Sequence, residues 1–192
     1  VKVYYKQNES DDYELDYSIP AGWNKGYQWD VPGFYAFESH NLTWVSFGSS
    51  HINAEFVIDE RSDFSHCTEL HDLFNDCRKL NQDFSWMDTS NCYLFDNMFR
   101  NCSSMQGEID FDVSNVTTMV GMLQDINNSK KVTWSPDLSN WDVSGVTNMN
   151  AMFYGAIGFN NNSIVDWDTS KVRDMDMMFD GAAAFNQDLS GW

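Results

Sequence analysis

Basic residues are scarce in this sequence. Lys and Arg account for 11 of 192 residues, against 29 Asp and Glu, which leaves a formal net charge of −18 at pH 7. Such an acidic surface repels the phosphate backbone of nucleic acids and the anionic lipids of a membrane. We therefore expect neither a nucleic-acid partner nor direct binding to anionic lipid.

Long apolar runs are also missing. No segment approaches the roughly 20 consecutive apolar residues that a transmembrane helix requires, so we expect no direct membrane insertion of this segment. The sequence has no signal-peptide pattern and starts at Val1 rather than Met. We expect the chain to be a processed form or a part of something longer.

Recognisable catalytic constellations are absent. The four histidines, His40, His51, His66 and His71, are scattered, and the sequence contains no phosphate-binding loop, nucleophile–base pairing or pair of cleft carboxylates. We therefore expect no enzymatic activity and no organic cofactor.

What the sequence does contain is a repeat that begins near residue 59. The phrase "VTNMNAMFYGA" has relatives in "CTELHDLFNDC", "CYLFDNMFRNC", "VTTMVGMLQDI" and "VRDMDMMFDGA". One aligned position is held by Phe74, Phe99, Leu123, Phe153 and Phe179. A fixed period of this kind is typical of stacked repeat architectures.

The first half of the unit has helical spacing. Met149, Met152, Phe153 and Ala156 lie three and four residues apart, which predicts a short helix with one apolar face. Thr147 precedes this helix as a candidate N-cap, and Thr68 and Thr117 hold the same place in other copies. We interpret the Met stripe as core packing, with a Met-rich binding groove as the alternative.

The second half of the unit has strand spacing. In "LSNWDVSGV" the apolar residues Leu138, Trp141, Val143 and Val146 match the leucine-rich-repeat strand template. One unit cannot bury its own apolar face, so neighbouring units must stack. The prediction is an α/β repeat fold, a right-handed leucine-rich-repeat-like solenoid of about 25-residue strand–helix coils, over residues 59–192.

Residues 1–58 lack the repeat pattern and differ from the repeats in composition. "VKVYYK", "NLTWVSFG" and "AEFVID" are strand candidates, and Pro and Gly punctuate the aromatic-rich stretch that contains Trp23 and Trp29. We expect a β-rich N-terminal cap that closes the first coil, with a small independent binding domain as the alternative.

The closing segment of the chain carries a family resemblance. Residues 167–192, "WDTSKVRDMDMMFDGAAAFNQDLSGW", together with residues 142–166, resemble the BspA-like, mycoplasma-lipoprotein-type branch of leucine-rich repeats. Residues 63–141 resemble it with drift, and residues 1–58 do not. Members of that family are mostly surface-exposed or secreted, many are implicated in adhesion or host binding, and the family also occurs in protists and viruses.

The resemblance implies a non-enzymatic binding or adhesion protein, extracellular or at a cell surface, with a protein or glycan partner. The alternative is a self-associating structural subunit of an extracellular or virion assembly. Because "FNQDLSGW" stops part-way through the strand half of a unit, we expect either further repeats after Trp192 or a partner that covers this end.

Four cysteines occupy equivalent places in adjacent repeats. Cys67 and Cys92 are one period apart, as are Cys77 and Cys102. Buried free thiols, disulfides between adjacent coils and disulfides within a coil all remain open. Between coils, strand spacing favours Cys67–Cys92 over the helix-side pair, because packed helices lie further apart than paired strands. The spacing does not suggest zinc.

A column of outward-facing aspartates follows the strand half of each repeat. It consists of Asp63, Asp88, Asp112, Asp142 and Asp168. We expect either solvated carboxylates in turns or, as the alternative, calcium bound at Asp88, Asp112, Asp142 and Asp168. Trp86 stands at an outward position beside this column, either as a partner contact or packed on the N-terminal segment.

Asn-X-Ser/Thr sequons are numerous for a chain of this length. They stand at Asn8, Asn41, Asn101, Asn115, Asn127 and Asn161. They favour a secreted, glycosylated protein.

Overall fold

The structure is a computed structural model that describes residues 2–6, 14–18, 33–38, 56–60, 62–126 and 134–192. Trp23, Trp29, His40, His51 and the segment "NLTWVSFG" lie outside the described residues, as do the sequons at Asn8, Asn41 and Asn127.

A four-stranded sheet lies in the first part of the chain. Its strands are β1 (Lys2–Lys6), β2 (Glu14–Ser18), β3 (Gly33–Glu38) and β4 (Phe56–Ile58), in the order β2-β1-β3-β4. β1 runs antiparallel to β2 and β3, and β3 pairs in parallel with β4. Runs such as "VYY" and "FYAF" suit strands because aromatic and β-branched side chains pack well on a pleated surface.

One side chain joins this sheet to the repeats. Gln82 accepts a hydrogen bond from the backbone N–H of Ile58 at 2.7 Å and donates one to the Ile58 carbonyl at 2.8 Å. Ile58 itself is buried in the same core cluster as the repeats. The amide of Gln82 therefore satisfies the edge of β4 where a further strand would otherwise pair.

The helices predicted for the repeats are not formed. Among the described residues the one helical element is a 3₁₀ turn over Asn162–Ile164, and the segment 150–155 consists of turns. Met149, Met152, Phe153 and Ala156 are all fully buried, so the prediction was right about burial and wrong about conformation. Thr147 is not an N-cap: its backbone N–H and its Oγ1 both donate to the Thr117 carbonyl, at 2.9 and 3.1 Å.

The physical reason is a hydrogen-bond ladder between repeats. The N–H groups of Met149, Ala151, Phe153 and Gly155 donate to carbonyls of the next repeat, at 2.8 to 2.9 Å. In an α-helix those donors would bond within their own segment. Parallel bridges mark the same column along the chain, Glu69 to Leu94, Leu94 to Thr118, Thr118 to Asn148 and Asn148 to Asp174.

Left-handed residues recur at two fixed places in every repeat. Their φ angles lie between 53° and 75°. The pairs are Asp72 and Asp76, Asn97 and Asn101, Gly121 and Asp125, Ala151 and Gly155, and Met177 and Gly181. Asp, Asn and Gly tolerate this conformation best, and two left-handed residues four positions apart interrupt any helix in that segment.

The strand half of each repeat also differs from its prediction. Leu138, Trp141, Val143 and Val146 are buried and Asp142 is exposed, as the spacing predicts. The backbone nevertheless turns twice, through hydrogen bonds from Trp141 N–H to the Leu138 carbonyl and from Val146 N–H to the Val143 carbonyl. The inward and outward sides are therefore set by turns rather than by a β-strand.

Columns of aromatic and Met side chains fill the core between repeats. Phe153 stacks on Phe179 at 5.4 Å, and Phe159 stacks on Phe185 at 5.9 Å between ring centroids. Met98, Met122 and Met152 are fully buried, which confirms the core-packing interpretation of the Met stripe. No helix long and apolar enough to span a membrane occurs in the part of the chain that the structure describes.

Candidate functional site

The first aspartate column has one recurring geometry. In each repeat the Asp Oδ1 accepts a hydrogen bond from the backbone N–H of the Ser two residues later, at 3.0 to 3.1 Å. The five pairs are Asp63 with Ser65, Asp88 with Ser90, Asp112 with Ser114, Asp142 with Ser144, and Asp168 with Ser170. This is the Asx turn that the sequence offered as one of two interpretations.

A second aspartate column, which the sequence interpretation missed, has the same geometry. It consists of Asp83, Asp137 and Asp188, each of which accepts from the backbone N–H of Ser85, Ser139 or Ser190 at 2.8 to 3.0 Å. The signal was available, because an Asp-X-Ser triplet occurs twice in these repeats, as in "PDLSNWDVSG". We call the two columns together the acidic face.

Hydrogen bonds from serines lower the pKa of five carboxyl groups of the acidic face. Ser114 lowers the pKa of Asp112 through its hydroxyl and its backbone N–H, and Ser144 and Ser170 do the same for Asp142 and Asp168. Serine N–H groups likewise lower the pKa of Asp137 and Asp188. Repulsion from the next carboxylate in the column opposes this effect at Asp112 and Asp142. These five carboxylates are therefore negatively charged at neutral pH.

The acidic face contains a groove between two neighbouring repeats. Its volume is about 440 Å³. Four carboxylates line it, those of Asp137, Asp142, Asp166 and Asp168, together with polar groups of Ser139, Ser163, Asn161 and Asn162 and the indoles of Trp141 and Trp167. The indoles are 3% and 6% exposed, so they form the floor of the groove rather than an open stacking platform.

Trp86 is not a freely exposed contact. Its ring lies 6.1 Å from that of Phe64 and 6.3 Å from that of Phe84, and its Nε1 donates to the Asp83 carbonyl at 2.9 Å. Phe64 belongs to the first repeat, so within the described residues Trp86 packs on the repeat core.

The geometry of the described residues does not indicate a calcium site. They bring together no group of three or more His, Cys, Asp or Glu side chains that could hold a metal ion. In each aspartate of the first column, Oδ1 already accepts a backbone hydrogen bond. The Asx-turn interpretation therefore accounts for the column without a cation.

All four cysteines are buried free thiols in this structure. Cys92 Sγ donates to the Cys67 carbonyl, and Cys102 Sγ donates to the Phe74 carbonyl, both at 3.0 Å. None of the disulfide alternatives is formed here.

The described sequons use their side-chain amides to join repeats. The Nδ2 of Asn101 donates to Asp76 Oδ1 at 2.9 Å, that of Asn115 to the Ser90 carbonyl at 2.8 Å, and that of Asn161 to the Pro136 carbonyl at 3.0 Å. Only Asn115 is exposed; Asn101 and Asn161 are half-buried. These contacts give all three asparagines a structural role, and Asn115 is the most accessible glycan acceptor of the three.

Comparisons with known proteins place this repeat in a family. A search of curated proteins and a search of solved structures returned no match. The family model described as "Mycoplasma protein of unknown function, DUF285" matches residues 41–132 and 126–192, and so spans both the end of the sheet and all of the repeats. This chain therefore belongs to the DUF285 family, whose function is unknown.

Proposed function

We propose that this protein is a non-enzymatic binding or adhesion protein of an extracellular or cell-surface kind, with a leucine-rich-repeat-like solenoid of the BspA type as its scaffold. The observation that carries the proposal is the acidic face, in which one Asx turn recurs from repeat to repeat and presents an exposed aspartate each time, at Asp88, Asp112, Asp142 and Asp168. A scaffold that presents one charged group at regular intervals suits recognition of an extended partner.

The charge of the face favours a protein partner with Lys and Arg side chains. Carboxylates attract such a surface and steer its approach, and added salt weakens both effects. A glycan is the weaker alternative, because the indoles beneath the groove are nearly fully buried and offer little area on which a sugar ring could stack.

The test compares two variants of equal charge. D112N/D142N/D168N neutralises three carboxylates of the acidic face while each new amide oxygen keeps the Asx acceptor. E60Q/D176N/D180N neutralises three exposed acidic residues outside the two aspartate columns. Both are used to capture proteins from cell-surface extracts and to probe a glycan array.

We expect the first variant to lose the captured basic proteins and the second to retain them, with capture by wild type falling as salt is added. An equal loss of capture in both variants would show that net charge alone is responsible, and wild-type capture by both would show that the three neutralised carboxylates are not used; either result would overturn the role of the face. Selective glycan binding would replace the protein partner by a carbohydrate.

A further inference from the structure

We propose that the two cysteine columns form two parallel disulfides, Cys67–Cys92 and Cys77–Cys102, which covalently join the first two repeats when the protein folds in the presence of a small-molecule disulfide. This inference is independent of the proposed function.

Hydrogen bonds beside each pair place its two cysteines in neighbouring repeats. Next to the first pair, Tyr93 N–H donates to the Thr68 carbonyl at 2.8 Å; next to the second, Asp76 N–H donates to the Arg100 carbonyl at 2.8 Å. Chains paired in this way lie about 4.8 Å apart, within the Cα separation of about 4.4 to 6.8 Å that a disulfide spans.

The sulfur atoms are placed consistently with this pairing. Cys92 Sγ is 3.0 Å from the carbonyl oxygen of Cys67, its partner one repeat earlier. Cys102 Sγ is 3.0 Å from the carbonyl oxygen of Phe74, three residues before Cys77. After burial, the charge of the cysteine one repeat earlier also raises the pKa of Cys92 (from Cys67) and of Cys102 (from Cys77).

In the first two repeats, turns over residues 71–76 and 96–101 stand where helices were predicted, which makes the second pair as favourable as the first. Packed helices would hold Cys77 and Cys102 about 8 to 10 Å apart, beyond the reach of a disulfide. The turns that replace them are hydrogen-bonded from repeat to repeat. In later repeats the two columns hold Val116 and Val146, and Ile126 and Ala156, so a covalent connection is confined to the repeats nearest the sheet.

The burial of the four thiols determines when the disulfides form. All four side chains are 0 to 1% exposed, and burial raises the pKa of Cys77, Cys92 and Cys102. A thiolate is the attacking species in disulfide exchange, so the folded protein reacts slowly and the bonds form while the repeats close.

The chemistry is thiol–disulfide exchange with oxidised glutathione. One protein thiolate attacks the glutathione disulfide, which gives a mixed disulfide and releases one glutathione thiolate. The second protein thiolate then attacks the protein sulfur of that bond and releases the second glutathione. Each pair of cysteines loses two electrons and two protons, and one glutathione disulfide is reduced to two thiols.

The test is refolding with oxidised and reduced glutathione, followed by intact mass and peptide mapping. We expect a mass lower by four hydrogen atoms, peptides that join 67 to 92 and 77 to 102, unchanged circular dichroism, and a Tm higher by about 6 °C or more for each bond. Folded protein in the same buffer should keep its four thiols over the same time.

Three double variants control the pairing. C77A/C102A and C67A/C92A each leave one proposed pair and should form one disulfide. C67A/C102A leaves Cys77 and Cys92, which belong to different columns, and should form none. Bonds within a repeat, four free thiols in natively refolded protein, or an oxidised product with lost circular dichroism would each overturn the proposal. If the chain does not refold from denaturant, export into an oxidising bacterial periplasm and expression in a reducing cytosol provide the same two conditions.

Discussion

Trp141 and Trp167 stack one repeat apart, with ring centroids 6.3 Å apart and planes within 2° of parallel. Trp192 continues the column, 6.2 Å from Trp167. Each indole Nε1 also donates to a carbonyl of the preceding repeat, from Trp141 to Ile109 at 3.1 Å and from Trp167 to Leu138 at 3.3 Å. The column therefore combines apolar packing with the hydrogen bonds that a β-ladder would otherwise supply.

Trp167→Phe tests the hydrogen bond separately from the stack. Phenylalanine retains an aromatic ring but leaves the Leu138 carbonyl without its indole donor, so we expect the free energy of unfolding to fall by about 1 to 3 kcal/mol in urea titrations. Trp86→Phe is the control, because the indole of Trp86 is half-buried and bonds within its own repeat. An equal loss in both variants would contradict the inter-repeat role.

Ala151→Gly tests the left-handed positions. Ala151 has a φ of 53°, a conformation that costs a residue with a Cβ about 1 kcal/mol or more. Glycine removes that cost at a smaller loss of chain entropy, so we expect thermal denaturation to show a free energy of unfolding higher by about 0.5 to 1 kcal/mol.

Two further substitutions serve as controls for Ala151→Gly. Gly155→Ala should destabilise, since a Cβ there would lie 2.2 Å from Asp125 Oδ1 and φ is +65°. Ala156→Gly, at a fully buried position outside the left-handed set, should also destabilise. Destabilisation by Ala151→Gly as well would refute the assigned conformation.

Acid titration of Asp112 tests the Asx turns. Hydrogen bonds from Ser114 lower the pKa of this carboxyl below 3.8. A lowered folded-state pKa contributes stability above the unfolded value, and that contribution is lost as the pH falls through the folded value. The wild-type Tm should therefore fall more steeply below about pH 3.8 than that of Asp112→Asn, which keeps an oxygen acceptor and does not titrate.

Asp112→Ala removes the acceptor at every pH. Because the carboxylate is exposed and screened, we expect a loss of only about 0.5 kcal/mol at neutral pH. Identical acid profiles for wild type and Asp112→Asn would show that this turn makes no ionised hydrogen bond.

Removal of divalent cations tests the calcium alternative. The described residues contain no group of three or more His, Cys, Asp or Glu side chains that could hold a metal ion, so EDTA and added Ca²⁺ should both leave the Tm unchanged. A rise with Ca²⁺ that Asp88→Asn and Asp142→Asn reduce would restore calcium to the acidic face.

Residue spacing was sufficient to sort side chains between core and surface. Leu138, Trp141, Val143 and Val146 face inward as their positions predict, and Asp142 faces outward. The same spacing could not identify the backbone, because a helix and a chain of turns both bury Met149, Met152 and Phe153. The Asp, Asn and Gly residues at the left-handed positions could have indicated turns in place of a helix. Ala151 and Met177 occupy two of those positions and weaken that pattern.

Part of the candidate site could likewise be predicted from the sequence, and part could not. The first aspartate column and the Asx alternative followed from the sequence, as did the buried free thiol among the alternatives for the cysteines. The groove did not, because its walls come from residues 137–143 and 161–168, whose proximity depends on how two repeats stack.

The order of residues alone was enough to establish the period, the apolar columns and the negative charge of this protein, since each is a property of composition and spacing along one chain. The stacking of neighbouring repeats settled the rest: which carbonyl each N–H and each indole meets, that turns replace helices, and which cysteines adjoin. Hydrogen bonds between repeats have partners about 23 to 32 residues away, and a local pattern specifies which groups need a partner without specifying where that partner lies.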